Sequence, residues 1–227
     1  HITFEETVAL AEKWFSPIPR RHVPRRSLPM EPMQTEERRL TVERNVPVDA
    51  LYMAFHMCSR NHPDYYAFDM LSDLLSSGRS SRFVQHLVQD KQIFNSIDAY
   101  ISGSIDNGLF HIVGKPAPEK TLEEAEKAIW EELALLTEGS IDENELEKVK
   151  NRYESEQIFN NLNYLNVATN LAYFELIGKA EDINTEVEKY RSVTQEQIKR
   201  AAKQTFLPEN CSVLYYKAAA KGASHTP

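Results

Sequence analysis

Seven histidines, two cysteines and a few closely spaced carboxylates are what this 227-residue chain could do chemistry with, and their spacing offers little of it. His1, His22, His56, His62, His86, His111 and His225 are scattered, and no two stand one helical turn apart as a metal-binding pair would. Cys58 and Cys211 are far apart, each in or beside an apolar, strand-like run. They read as two buried thiols, and a disulfide between them cannot be deduced. Asp69 and Asp73 share one helix face; Glu143, Glu147, Lys150 and Glu154 share another. Both read as solvated surface. His56 and His111 fall among apolar strand residues and read as structural or surface histidines. Gly78-Arg79-Ser80-Ser81 opens a helix, where free N–H groups favour an anion. An ordinary capped helix start accounts for the same residues. Phe159, Tyr164, Tyr173 and Phe174 make an aromatic stripe that reads as core.

Bulk properties narrow the function classes. A formal charge of −8, from 26 basic and 34 acidic residues, argues against a dedicated nucleic-acid binder. The one basic cluster, Arg20, Arg21, Arg25 and Arg26, alternates with Pro17, Pro19, Pro24 and Pro29 and reads as an extended linker. No apolar run reaches the roughly 18 residues of a membrane span, and no signal-peptide pattern is present. The start His1-Ile2-Thr3 runs almost at once into a helix, as a piece of a longer protein would. A hydrophobic content of 41% supports one large domain or two small ones.

The elements that must position these residues follow from punctuation and periodicity. Thr3 caps a helix to Phe15, with Glu5 and Glu6 in its first turn, and Pro17 and Pro19 end it. Arg38–Glu43 and Ala50–Met57 read as strands around an Asn45–Pro47 loop. Pro63 is placed to begin a helix carrying Leu71, Leu74 and Leu75. Ser80 or Ser81 caps the next, whose apolar face is Phe83, Val84, Leu87 and Val88. Ile93–Ser102 and Leu109–Val113 pair around a turn at Asp106-Asn107-Gly108, where Asn and Gly tolerate positive φ. Thr121 with Glu124, Asp142 with Glu145 and Thr194 with Gln197 are capping boxes. The second of these opens a helix expected to run unbroken to about Ile177, and Gly139 and Gly178 are stops. Pro208 ends the last helix, and Cys211–Tyr216 is a final strand. Neighbouring strands followed by runs of helices predict an α+β fold. Its sheet is largely antiparallel and covered on one face by helices, one of them long, as a two-layer α/β sandwich.

The stretch from Leu74 to Ile97, with Ser80-Ser81-Arg82-Phe83 opening a helix and Lys91 in the turn before a strand, resembles the C-terminal-type, non-catalytic domain of the pitrilysin/insulinase family of zinc metallopeptidases. Phe4–Pro19 is similar to the helix and exit turn that close the preceding domain, Arg44–His56 to the first hairpin, and Ile141–Gly178 to the long helix. The resemblance implies residues 1–19 as the closing helix of a preceding domain, 20–35 as a Pro/Arg-rich linker, 36–217 as the domain itself and 218–227 as a frayed tail. Family enzymes hold zinc through His-x-x-Glu-His, which this chain lacks. Family domains that grip substrate carry an Arg and a Tyr seven residues apart; the matching positions here are Val88 and Asn95, so both roles are lost. Arg79, Arg82 and Asn95 remain candidate substrate-chamber or structural contacts.

The implied function is the inactive half of a zinc metalloendopeptidase that degrades or processes peptides, forming chamber wall and partner interface. Zinc would sit in the N-terminal half of the same protein, with a homo- or hetero-dimer partner subunit possible and a peptide as substrate. The alternative is an assembly subunit of the same fold with no proteolysis, which the presence or loss of an upstream His-x-x-Glu-His would separate.

Overall fold

A computed structural model describes residues 2–22, 29 and 31–219. His1 and His225, the linker residues Pro24, Arg25 and Arg26, and residues 220–227 of the tail expected at 218–227 lie outside the described residues. The chain divides into two units, His1–Met33 and Gln34–Pro227. The first contains helix α1 (Phe4–Phe15). The Glu6 N–H donates to Thr3 Oγ1 at 3.2 Å and the Thr3 N–H to the Glu6 carboxylate at 2.8 Å, a reciprocal capping box.

The second unit is the α+β fold. Its strands are β1 (Arg38–Arg44), β2 (Ala50–Ser59), β3 (Phe94–Ser102), β4 (Asn107–Pro116) and β5 (Cys211–Ala218), ordered β1-β5-β2-β4-β3. Every pairing is antiparallel except β1 with β5. The expected first hairpin is therefore absent, because the last strand lies between β1 and β2. The loop from Asn45 to Asp49 has to step over one strand, about 9–10 Å, and it helps to hold that strand. The Asp49 carboxylate accepts the Ala218 N–H at 2.7 Å, and the Arg44 carbonyl accepts that of Ala219 at 2.8 Å.

Alternation assigns the two sheet faces. Leu51, Met53, Phe55, Phe110, Ile112, Cys211 and Val213 point into the core, against α2 (Tyr65–Ser76), α3 (Leu122–Glu138) and α7 (Gln195–Thr205). Thr121 with Glu124 and Thr194 with Gln197 form the expected capping boxes. The β3–β4 connection is Gly103 to Asp106, and Asn107 and Gly108 already belong to β4. Gly108 has no positive φ. A glycine is needed there because a Cβ would lie 2.5 Å from the Ser102 carbonyl oxygen. Pro63 stands in the turn before α2 rather than at its first residue.

Two helices depart from expectation. Phe83–Asp90 is a π-helix, with the Lys91 N–H donating to the His86 carbonyl five residues back. Ser81 does not cap it; its hydroxyl donates to the Gly78 carbonyl at 2.8 Å. The expected long helix is two, α4 (Glu143–Asn160) and α5 (Tyr164–Ile177), with α6 (Glu186–Arg191) following. The break falls in an Asn-rich segment, where Asn163 accepts the Leu165 N–H at 2.9 Å and starts α5 afresh. Asn side chains compete with helical hydrogen bonding in this way.

Candidate functional site

The two positions expected to have lost the substrate-gripping pair meet in space. Val88 near the end of the π-helix and Asn95 in β3 line one recess of about 540 Å³, together with Lys91, Gln92, Pro118 and Lys120. Asn95 sits where the β3–β4 register shifts between Phe94 and Ser96, an extra residue that turns the strand at the recess mouth. The only non-glycine residues with positive φ among those described are Gln92 at 49° and Glu119 at 70°, one in each loop bordering the recess. The Ala117 N–H donates to the Ile93 carbonyl at 2.8 Å and ties these loops together. The recess holds amide and ammonium groups, neither a nucleophile nor a general base.

Arg79 and Arg82 do not line it. Arg82 makes a two-pronged pair with Glu145, Nε to Oε1 and Nη2 to Oε2 both at 2.9 Å, with both side chains largely buried. It pins the start of the π-helix to the start of α4, and hydrogen bonding to Glu145 raises its pKa. Glu145 is thus taken from its expected capping box; Asp142 alone caps α4, accepting the Asn144 N–H at 2.7 Å. Arg79 is exposed, and its carbonyl accepts Gln89 Nε2 at 3.4 Å.

Asp69 and Asp73, expected on solvated surface, face inward instead. Asp69 accepts the Tyr190 hydroxyl of α6, and Tyr190 stacks on Tyr153 with ring centroids 3.6 Å apart. Burial raises the pKa of Asp69, and burial with the Asp69 charge pushes Asp73 up to about 6. Beside them Arg60 and Glu186 form a buried pair, and Tyr66 donates to Glu186 at 3.2 Å. Among the described residues no buried side-chain nitrogen or oxygen lacks a partner, so this cluster is closed on itself. Nothing in the α2 sequence announces it, because Tyr153, Glu186 and Tyr190 arrive from 80 or more residues beyond these carboxylates.

The sheet face away from the helices is not covered by any described helix of the unit. Across it run Leu40, Leu214, Tyr52 and Val113, and beside them Ser212, Ala54, His111 and Tyr100. A concavity of about 370 Å³ lies over these rows. Tyr100 stacks on His111 at 4.9 Å, Ser102 Oγ lies 3.0 Å from His111 Nε2, and burial lowers the His111 pKa. His56 lies on the same face. Elsewhere, His86 Nδ1 sits 2.9 Å from the Glu132 carboxylate, and the Asp64 N–H donates to His62 Nδ1. The described residues contain no group of three His, Cys, Asp or Glu able to hold a metal. Cys58 and Cys211 are unpaired thiols raised by burial to about 11 and about 12. No described helix is long and apolar enough to cross a membrane.

The expected aromatic stripe is the largest departure. Phe174 is buried, but Phe159 is 71% and Tyr164 91% exposed, and Tyr173 is exposed as well. Leu146 and Val149 at the start of α4 belong to the core, whereas the end of α4 and most of α5 carry their apolar side chains outside it.

Comparison with known proteins gives this arrangement a family. The model of the peptidase M16 inactive domain matches residues 1–153. The chain is 24% identical over 197 residues to the uncharacterized zinc protease YmxG of Bacillus subtilis, covering 86% of this chain and 47% of that protein. It is 23% identical over 188 residues to the zinc protease PqqE of Helicobacter pylori, covering 82% and 42%. A solved protease structure from Helicobacter pylori matches at a TM-score of 0.87 and 21% identity, over 95% of this chain and 53% of that one; this likeness shows the fold. The chain spans about half the length of the curated relatives it matches.

Proposed function

The chain belongs to the peptidase M16 family as an inactive domain, and from that premise we propose that it is the non-reacting half of a zinc metalloendopeptidase, walling a chamber in which peptides are cut. The open sheet face carries the reading. It is concave, largely apolar and free of any metal-ligand cluster among the described residues, so it can border a peptide without attacking it. Zinc and the general base would belong to the N-terminal half, where metal-bound water is activated near neutral pH. Residues 1–19 would close that half, 20–35 would link, and 36–217 would form the wall. Val88 and Asn95 leave the recess unable to grip a substrate carbonyl as an Arg and a Tyr would; Asn95 and Arg79 stay as candidate contacts and Arg82 as a structural one.

The test is an assay of the chain with a quenched-fluorescence peptide library and added zinc, alone and with the zinc-binding N-terminal half supplied in trans. The expected result is no chelator-sensitive cleavage alone and cleavage with both halves. Chelator-sensitive cleavage by the chain alone refutes the reading, and no cleavage with both halves favours the assembly role.

A further inference from the structure

We infer that the open sheet face selects peptides by charge, taking extended segments that carry side-chain carboxylates on either side of an apolar stretch. The inference rests on the chamber reading and names the class of peptide that the wall favours.

Strand register places the relevant side chains on one continuous surface. Arg38 stands in the row of Ser212, Ala54, His111 and Tyr100 and lines the concavity. Lys115 follows Val113 by two residues in β4, and Arg44 follows Arg38 by six in β1, so both lie on this face. Among the strand residues of the face the carboxylate is Asp98, which sits on the edge strand and accepts the Ser76 hydroxyl of α2 at 2.8 Å. The face therefore carries three cations against one carboxylate, on a chain whose formal charge is −8. Alternation separates these cations from their neighbour Arg39, which turns to the helix side and pairs with Glu126 at 2.7 Å. Arg38 and Lys115 are exposed and have no ion-pair partner among the described residues.

Charge complementarity selects the occupant. The chain as a whole repels an anion, but salt screens charges beyond about 8–10 Å, so a bound peptide responds to the face it lies on. Burial holds His111 below its ordinary range, and with Tyr100 it offers a stacking surface rather than a charge. Lys115 lies three strands across and four residues along from Arg38, which is about 20 Å, or about six residues of extended chain. Leu214, Tyr52 and Val113 run between them. Cations this far apart across an apolar middle match separated side-chain carboxylates. They do not match a nucleic acid, which presents a charge at every nucleotide.

The experiment is fluorescence anisotropy on the full chain with three short peptides. These share a dye, a length and an apolar middle, and differ only in having Glu, Gln or Lys at two positions about six residues apart. The expected result is that the Glu peptide binds about 10-fold more tightly than the Lys peptide, with Gln between, and that added salt narrows the gap. Arg38→Glu combined with Lys115→Glu, with a urea midpoint matching the parent, should reverse the order. Equal affinities, a preference for Lys or no binding of any of the three overturns the inference, and so does a Glu preference that the double variant leaves unmoved. Failure of the chamber reading looks different: the Glu preference persists, but supplying the N-terminal half yields no cleavage.

Discussion

Helices α3 and α5 are both rich in apolar residues, and the domain treats them in opposite ways. In α3, Leu122, Ala125, Ile129, Leu133 and Leu136 fall on one stripe and are buried, while Glu123, Lys127, Glu131 and Glu138 hold the other side in water. In α5 the apolar residues go all round the helix, no charge appears before Glu175, and only Phe174 is buried. A charged face tells a helix which side is out; without one, composition does not say whether its apolar surface meets its own core or another molecule. The difference teaches that the core of this domain is complete without α5.

If that contrast is right, substitutions should sort by region. The largest effect is expected at Ile129, which is fully buried in α3. Ile129→Ala should destabilise the chain by about 2–5 kcal/mol in urea unfolding, and a small effect would mean that α3 is not core. Next comes Arg82, which fastens α4 to the sheet-backing part of the domain. Arg82→Ala should cost about 3 kcal/mol by leaving Glu145 largely buried and unpaired. The double variant with Glu145→Ala should recover part of that loss, giving a coupling of about 1–3 kcal/mol in a double-mutant cycle.

The buried carboxylates give a smaller effect of definite sign. Asp73 has an ordinary value of 3.8 and is held at about 6 in the fold. Between those values the folded state keeps a proton that the unfolded state has released, so this group's contribution to stability falls as pH rises through the window. Asp73→Asn should flatten the stability–pH profile there and stabilise the chain at neutral pH by about 3 kcal/mol at most. Urea midpoints at several pH values check both points. The smallest effect is expected on α5. Leu165→Ala, at a 73% exposed position, should shift stability by no more than about 0.5 kcal/mol at low protein concentration. A loss comparable to that of Ile129→Ala would erase the contrast.

What could be read from the chain beforehand divides along the same line between local and distant causes. Thr3, Thr121 and Thr194 announced helix starts because their capping partners are three residues away. Alternation gave the strands, and the order of elements gave the fold class. The strand insertion was not legible, because β1 and β5 are joined only in space. Glu145 reads as a cap partner in the sequence because its true partner, Arg82, precedes it by 63 residues. Asp69 and Asp73 looked solvated for the same reason. The break at Asn161–Asn163 has a local signal in the sequence, three Asn within four residues. Of the site, the resemblance singles out the positions Val88 and Asn95, whereas the recess they share depends on how the chain folds around the β3 register shift.

The order β1-β5-β2-β4-β3 has a consequence for biosynthesis. The position between β1 and β2 is filled by the last of these five strands to leave the ribosome, so until residues 211–218 emerge, β1 is unpaired and β2 has one open flank. During that interval the nascent chain can form only the antiparallel β2–β4–β3 part of the sheet and its helices. Two open flanks are a standing invitation to mispairing, which makes the final strand the bolt that shuts the domain against its neighbours on a crowded polysome.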